Sequence, residues 1–181
     1  MSLEIHPLDA NRMRALEGHL ARHRKESGQD GDIHFMPFEP GLGTGPRPPR
    51  ADSLGKPLDE PGWERWWIAL DPTGPVVGHV ELAGSPLAVG LHRCELGIGL
   101  ERPHRGQGVG RALMEHAIEF ARLAPLLEWI DLRVFAHNTP GRRLYTSLGF
   151  TEVGTTRDQF RIGGEMIDDV RMTLRLGEEN W

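Results

Sequence analysis

The residues best placed to do chemistry lie in Arg105-Gly106-Gln107-Gly108-Val109-Gly110-Arg111, a three-glycine turn between a strand pattern and an amphipathic helix pattern. Glycine lets a backbone approach a ligand closely and reach φ > 0. The helix that follows presents N–H groups without intrahelical partners and a positive dipole end worth roughly half an elementary charge. Arg102, His104, Arg105 and Arg111 add positive charge, and no acid lies between Arg102 and Arg111. The natural guest of such a turn is a pyrophosphate. Two phosphate-binding patterns are excluded: no Gly-Lys-Ser/Thr triplet closes a Walker A loop, and Arg111 stands where G-x-G-x-x-G needs its third glycine. Taken alone, the glycines would serve equally in a tight strand-to-helix connection with no ligand.

A second block, Asn138-Thr139-Pro140-Gly141-Arg142-Arg143-Leu144-Tyr145-Thr146-Ser147-Leu148-Gly149-Phe150, carries the only tyrosine of the chain. A phenol holds a proton at neutral pH and can give it to a better base. Beside Leu144 and Leu148, Tyr145 could also be a packed helix aromatic.

The elements that must position these blocks follow from periodicity. Leu3, Ile5 and Pro7 flank a first strand, and Asp9 can cap a helix over Ala10–Lys25 with Met13, Leu16 and Leu20 inward. Pro40–Gly62 is dense in Pro and Gly, so no regular element is expected there, only a binding loop or a disordered one. Trp66–Leu70 and Val76–Leu82 read as a hairpin about the turn Asp71-Pro72-Thr73-Gly74, and Cys94–Leu100 as a further strand. Val109–Ala124 is the clearest helix: Arg111, Glu115, Glu119 and Arg122 form a solvated stripe opposite Leu113, Ala117, Phe120 and Ala121. Trp129–Phe135 is a buried strand. A short helix over Pro140–Leu148 ends at Gly149. Phe150–Val153 and Ile167–Leu174 are the last strands, the second alternating as a half-buried antiparallel strand does. Trp63, Trp66 and Trp67 could line an acceptor pocket or a dimer face, or cover the core.

The turn resembles the R/Q-x-x-G-x-G/A signature of the GNAT superfamily of N-acetyltransferases, and the second block resembles that family's N-x-x-A-x-x-L-Y-x-x-x-G-F, one helix and one strand later. The resemblance covers roughly Trp66–Leu174, with Gly141 in place of the usual alanine and an uncommon Pro140 beside it. It implies an α/β (α+β) domain over 1–181 (core 64–176). Its sheet would be mixed and mostly antiparallel, with a central splayed parallel strand pair flanked by helices. It implies acetyl-coenzyme A as donor and no metal. The acceptor would be a primary amine of a small molecule or peptide; the alternatives are a non-catalytic acyl-CoA-binding sensor module and a protein lysine or N-terminal acetyltransferase. The resemblance puts pyrophosphate on the N–H groups of Gln107 to Arg111, within the stretch Arg105, Gly106, Gln107, Gly108, Val109, Gly110 and Arg111. It puts the pantetheine arm along Ile98, Gly99 and Leu100 like an added strand, with a backbone N–H near Leu100 at the thioester oxygen. Asn138 would contact the cofactor from the neighbouring strand, and Tyr145 would be the general acid. For the base, Glu95 lies on the strand leading to the turn. It shares a face with Gly97 and Gly99, which would leave that face open for a substrate. Glu81 and His79 are the alternatives. Some peptide N-terminal acetylases of the family carry a glutamate where this chain has Arg133, which counts against a protein N-terminus. The acceptor would be chosen by Arg22–Gly62 and Arg157–Glu165, both irregular in sequence.

Composition bounds the rest. The chain has 181 residues, 38% of them apolar, enough for one hydrophobic core. Its formal charge of −5 argues against nucleic acid or an anionic membrane as partner and requires a locally positive site for any anionic ligand. One cysteine, Cys94, allows no internal disulfide, and neither a secretory signal nor a membrane span can be drawn. A cytoplasmic protein is expected, and a homodimer is compatible with it. His19 and His23 have helical i, i+4 spacing, but zinc would need a third ligand; two exposed histidines on a polar helix is the plainer expectation.

Overall fold

A computed structural model describes residues 3–39, 41, 42, 45 and 47–177. Pro40, Gly43, Thr44 and Pro46 of the Pro/Gly-rich run, and the two ends of the expected 1–181 span, lie outside them. The chain forms β1 (Glu4–Pro7), a 3-10 turn Ala10–Arg12, α1 (Met13–Glu26), α2 (Ala51–Leu54), β2 (Glu64–Leu70), β3 (Val76–Gly84), β4 (Arg93–Leu100), α3 (Val109–Leu123), β5 (Trp129–Phe135), α4 (Thr139–Ser147), β6 (Thr151–Ile162) and β7 (Glu165–Arg175). The strands make one seven-stranded sheet in the order β1-β2-β3-β4-β5-β7-β6. Every neighbouring pair is antiparallel except β4 and β5. The expected mixed sheet with a parallel pair at its centre is therefore the sheet observed.

Side-chain alternation on β3 separates the two layers. Val80 and Leu82 point to the face that α3 covers, and with Leu113, Met114, Ala117 and Ile118 of α3 and Leu132 and Val134 of β5 they belong to the larger core. His79 and Glu81 point to the opposite face. There Leu16 and Leu20 of α1 pack on Trp66 and Ile68 in a smaller core. Asp9 caps the entry to this layer, accepting N–H bonds from Asn11 and Arg12 at 2.9 and 3.1 Å.

Three readings change. The buried stripe of α1 is Leu16, His19, Leu20 and His23, an i, i+3, i+4, i+7 face, so the two histidines are interior rather than exposed. Hydrogen bonding to a carboxylate and to a third imidazole satisfies His19, which is why it can be buried. The Pro/Gly-rich run contains one turn of helix, Ala51–Leu54, where Ser53 Oγ donates to Arg50 O and also bonds Glu64. The stretch Arg157–Glu165, irregular by composition, continues β6 to Ile162 and turns into β7 at Gly163-Gly164. Both glycines have positive φ (57° and 85°), as a two-residue hairpin turn requires. Of the three placements open to Trp63, Trp66 and Trp67, all three are buried: Trp63 and Trp67 lie in the larger core and Trp66 in the smaller.

Candidate active site

The parallel pairing of β4 and β5 runs only from Arg93↔Trp129 to Leu96↔Leu132. Beyond it β4 stays on β3 as far as Leu100, and β5 stays on β7 as far as Phe135. The two strands therefore part at Gly97 and Arg133, leaving backbone edges that no strand pairs. A cavity of about 940 Å³ occupies this gap and reaches both faces of the sheet. On the α3 face it meets the glycine turn and α4; on the α1 face it meets His23, His79, Glu81 and the segment Gly31–Met36.

The turn has the conformation its glycines imply. Gly106 and Gly108 have φ of 73° and 84°, and a Cβ on either would enter open space. Gly108 is the N-cap of α3 and provides no side-chain cap. The first α3 residue to bond back is Ala112, to Gly108 O at 3.0 Å. Among the described residues, no protein acceptor meets the N–H groups of Gln107 to Arg111. Arg111 stands beside them, exposed, and donates to Ser147 Oγ of α4 at 2.6 Å.

Arg105 and Arg102 play a different part from the one expected. Arg105 donates to Leu100 O at 2.9 Å, to Glu26 Oε2 at 2.6 Å and to Asp32 Oδ2 at 2.5 Å, with its guanidinium over Phe35. Arg102 donates from its backbone N–H to both Glu26 carboxylate oxygens at 3.0 Å and from its side chain to Asp32 and Gln29 O. Two acids from 70 to 79 residues away thus balance the two arginines and lash the turn to the end of α1. The local positive character that remains is the helix terminus and Arg111.

Tyr145 lines the cavity from α4, buried beside Phe150. Burial pushes its phenol up to about 12, so it stays protonated across the physiological range. On the α1 face, His19 Nδ1 lies 2.8 Å from Glu101 Oε1, and His19 Nε2 lies 2.9 Å from His79 Nδ1. His79 Nε2 lies 3.2 Å from Glu81 Oε2, and the His79 ring stacks on Trp66. Burial lowers His19 to about 4 and His23 to about 2, with His79 the next cause in each case, so both imidazoles are neutral at pH 7. Cys94, pushed up to about 12 by burial, is an inert core thiol.

The model of the acetyltransferase (GNAT) family matches residues 33–150, a span holding both glycine turn and tyrosine block. The chain belongs to this family. An L-amino acid N-acetyltransferase of Escherichia coli is 30% identical over 110 residues, which are 61% of this chain and 67% of that protein. A GNAT-family acetyltransferase structure from Streptococcus pneumoniae superimposes with a TM-score of 0.78 at 21% identity, over 96% of this chain and 99% of that one. A Salmonella typhimurium structure solved with its cofactor acetyl-CoA gives 0.73 at 18% identity, over 100% and 98%. At such identities the two structures establish the fold.

Most residues singled out for this GNAT site meet at the cavity: Ile98, Gly99, Leu100, Arg105, Gly106, Gly108, Gly110, Arg111, Asn138 and Tyr145. Gln107 and Val109 do not line it. The Gln107 amide donates to Pro103 O, and Val109 is buried. Asn138 lies beyond β5 as the N-cap of α4, its Oδ1 accepting from Gly141 N at 3.0 Å. A Cβ at position 141 would come within 3.0 Å of that carboxamide, which accounts for glycine there. Glu95 is exposed on the strand-paired half of β4 and does not line the cavity. Nor is the face over Gly97 and Gly99 open: Glu81 fills the space above Gly97, and His79 and His23 the space above Gly99. No residue of Arg157–Glu165 reaches the cavity, whereas Gly31, Asp32, Ile33, Phe35 and Met36 do. Glu26, Asp32, Glu101 and His19 were invisible as a set in the sequence, because their partners lie on other elements.

Proposed function

We propose that this acetyltransferase moves the acetyl group of acetyl-CoA directly to a primary amine of a small molecule or peptide, the two substrates meeting in the gap between β4 and β5. The observation that carries this reading is the parting of the strands at Gly97 and Arg133, between an unsatisfied helix terminus and Tyr145 on one face and Glu81 on the other. Free N–H groups from Gln107 to Arg111 would hold the pyrophosphate, and Arg111 would add charge. The unpaired edge at Ile98, Gly99 and Leu100 would take the pantetheine amides as a strand takes a neighbour, and Asn138 would hold the end of α4 against it. A backbone N–H on this edge would then face the thioester oxygen; one such donor contributes about 3 kcal/mol to an oxyanion.

Chemistry follows from what surrounds the gap. The amine must lose a proton before it can attack, and Glu81 would take it, since it lines the cavity whereas Glu95 does not. The nitrogen attacks the thioester carbon, and the coenzyme thiolate leaves as it receives the Tyr145 proton. The second N–H proton of the attacking amine replaces the one that Tyr145 gives. Per turnover one proton is left over. Arg133, bonded to Asp169 at 2.7 Å, stands on the acceptor side of the gap. With no carboxylate at this position, a small amine fits the site better than a protein N-terminus.

A panel of primary amines assayed for coenzyme A release, with product mass measured, tests the reading. Acetylated amine and stoichiometric thiol are expected for at least one small amine. Tight acetyl-CoA binding with no transfer to any amine or peptide would overturn it.

A further inference from the structure

The acceptor face holds a row of side chains that the reaction above uses only at its inner end. Glu101, His19, His79 and Glu81 follow one another at 2.8, 2.9 and 3.2 Å, from the surface to the cavity. Glu101 is nearly buried and tied to Arg22 of α1 at 2.9 Å; His19 and His79 are buried. The sheet is shaped around this row. A side chain at Gly97 would clash with the Glu81 carboxylate, and one at Gly99 with His79 and His23, each closer than 3.0 Å.

Counting protons in the row gives it a use. Three links need three protons, and two neutral imidazoles bring two. With Glu101 ionised beside Arg22, His19 Nδ1–H donates to Glu101, and His79 Nδ1–H donates to His19 Nε2. His79 Nε2 then faces Glu81 Oε2 with a lone pair on each. Glu81 Oε2 is indeed a buried oxygen without a hydrogen-bond partner among the described residues. The vacancy sits at the cavity end.

We propose that Glu81, His79, His19 and Glu101 form a store for one proton, filled by the acceptor ammonium and emptied to water. The inference rests on the acetyl-transfer reading. The ammonium N–H bond breaks, its electron pair stays on nitrogen, and the proton enters the link between Glu81 and His79. It is held in that link by the hydrogen bonds that run back to Glu101 and leaves to water through the cavity once the products depart, so the proton left over in each turnover is accounted for and both rings keep their Nδ1 protons. Glu81 touches the acceptor; His79, His19 and Glu101 are positioning residues that act through it. The other charged or titratable groups facing the row are Arg22, His23 and Glu26 from α1 and Arg105 from the turn.

Two measurements test the store. With the amine that releases coenzyme A fastest in the panel, Glu101→Gln and His19→Gln should lower kcat about tenfold at pH 7. Both should approach wild type near pH ~9.5, where more amine arrives already neutral, with KM for acetyl-CoA unchanged. Glu101→Asp should recover much of the loss. Parallel pH profiles for wild type and both glutamine variants would overturn the proposal. The second measurement is nitrogen NMR of histidine-labelled wild type without substrates, which needs neither transfer nor a variant that folds. Both His19 and His79 should be neutral at pH 7 with the proton on Nδ1. A proton on Nε2 of both rings, or a charged ring, would overturn the store. A panel in which no amine is acetylated overturns the acetyl-transfer reading, and the NMR result then decides alone whether the proton vacancy exists.

Discussion

The two faces of the gap are built by opposite means. On the α3 face, the half proposed for the donor is made mainly of backbone: the turn Arg105–Arg111, the strand edge Ile98–Leu100 and the start of α4. On the α1 face, the acceptor half is made of side chains from α1, the segment Gly31–Met36, β3 and the residue after β4. These are brought together by hydrogen bonds spanning 60 to 82 residues. A backbone site tolerates few substitutions at its glycines and many elsewhere. A side-chain site depends on each member and on burial that keeps its histidines neutral.

The sharpest way to separate the halves is Gly108→Val. Its φ of 84° is costly for a β-branched residue, and the added side chain would project into the open space where the pyrophosphate is placed. Acetyl-CoA affinity should fall at least about 30-fold in calorimetry, on the order of 2 kcal/mol of strain, while the fold by circular dichroism persists. Wild-type affinity in this variant would remove the turn from the donor half.

The acceptor half should show itself in stability against pH. Folding lowers His19 from 6.5 to about 4 and His23 to about 2, so below pH 6.5 the unfolded chain binds protons that the folded chain does not. Stability is full above that pH and is lost as pH falls from about 6.5 toward 4. At pH 5 the loss is about 2 kcal/mol per histidine. Denaturant titrations at pH 7.5 and 5 should show it, and His23→Phe should remove part of the slope. Equal stability at both values would mean that these rings are not held neutral.

Tyr145→Phe should lower kcat about tenfold, since a well-placed acid contributes at least that much, and leave acetyl-CoA affinity within about twofold. An unchanged kcat would return Tyr145 to the role of a packed aromatic beside Phe150. The smallest effect belongs to the clasp between the halves. Glu26→Gln keeps the shape but removes the charge that meets Arg105 and the Arg102 N–H, a loss of about 1 to 2 kcal/mol for charge-assisted bonds. A lower Tm together with a several-fold weaker acetyl-CoA affinity is expected. A lower Tm with no change in affinity would show that the clasp serves the fold alone.

The same asymmetry explains what could be read in the sequence. β5 and α3 were legible nearly to the residue, because a buried strand and an amphipathic helix write their periods directly. The positive-φ turn at Gly106 and Gly108 and the helix that carries Tyr145 were legible too, since each lies within one contiguous block. Arg105 was legible as a charge but not as a clasp, because Glu26 and Asp32 lie on another element. Glu95 stood out by its place on β4, yet the strands are still paired there and part only two residues later. His19 read as polar surface until His79 and Glu101 were in place to satisfy it, and His23 is buried beside them, stacked on Phe35. The length of β6 was hidden by a polar composition that leaves every residue of the strand before Phe160 exposed.

The most direct test of the account is calorimetry of wild-type protein with acetyl-CoA and, separately, with ATP. Saturable micromolar binding of acetyl-CoA, at least about 30-fold weaker in Gly108→Val, with no binding of ATP, is the expected result. No binding of acetyl-CoA by wild type, or equal affinity in wild type and variant, would contradict the placement of the donor in the gap between β4 and β5.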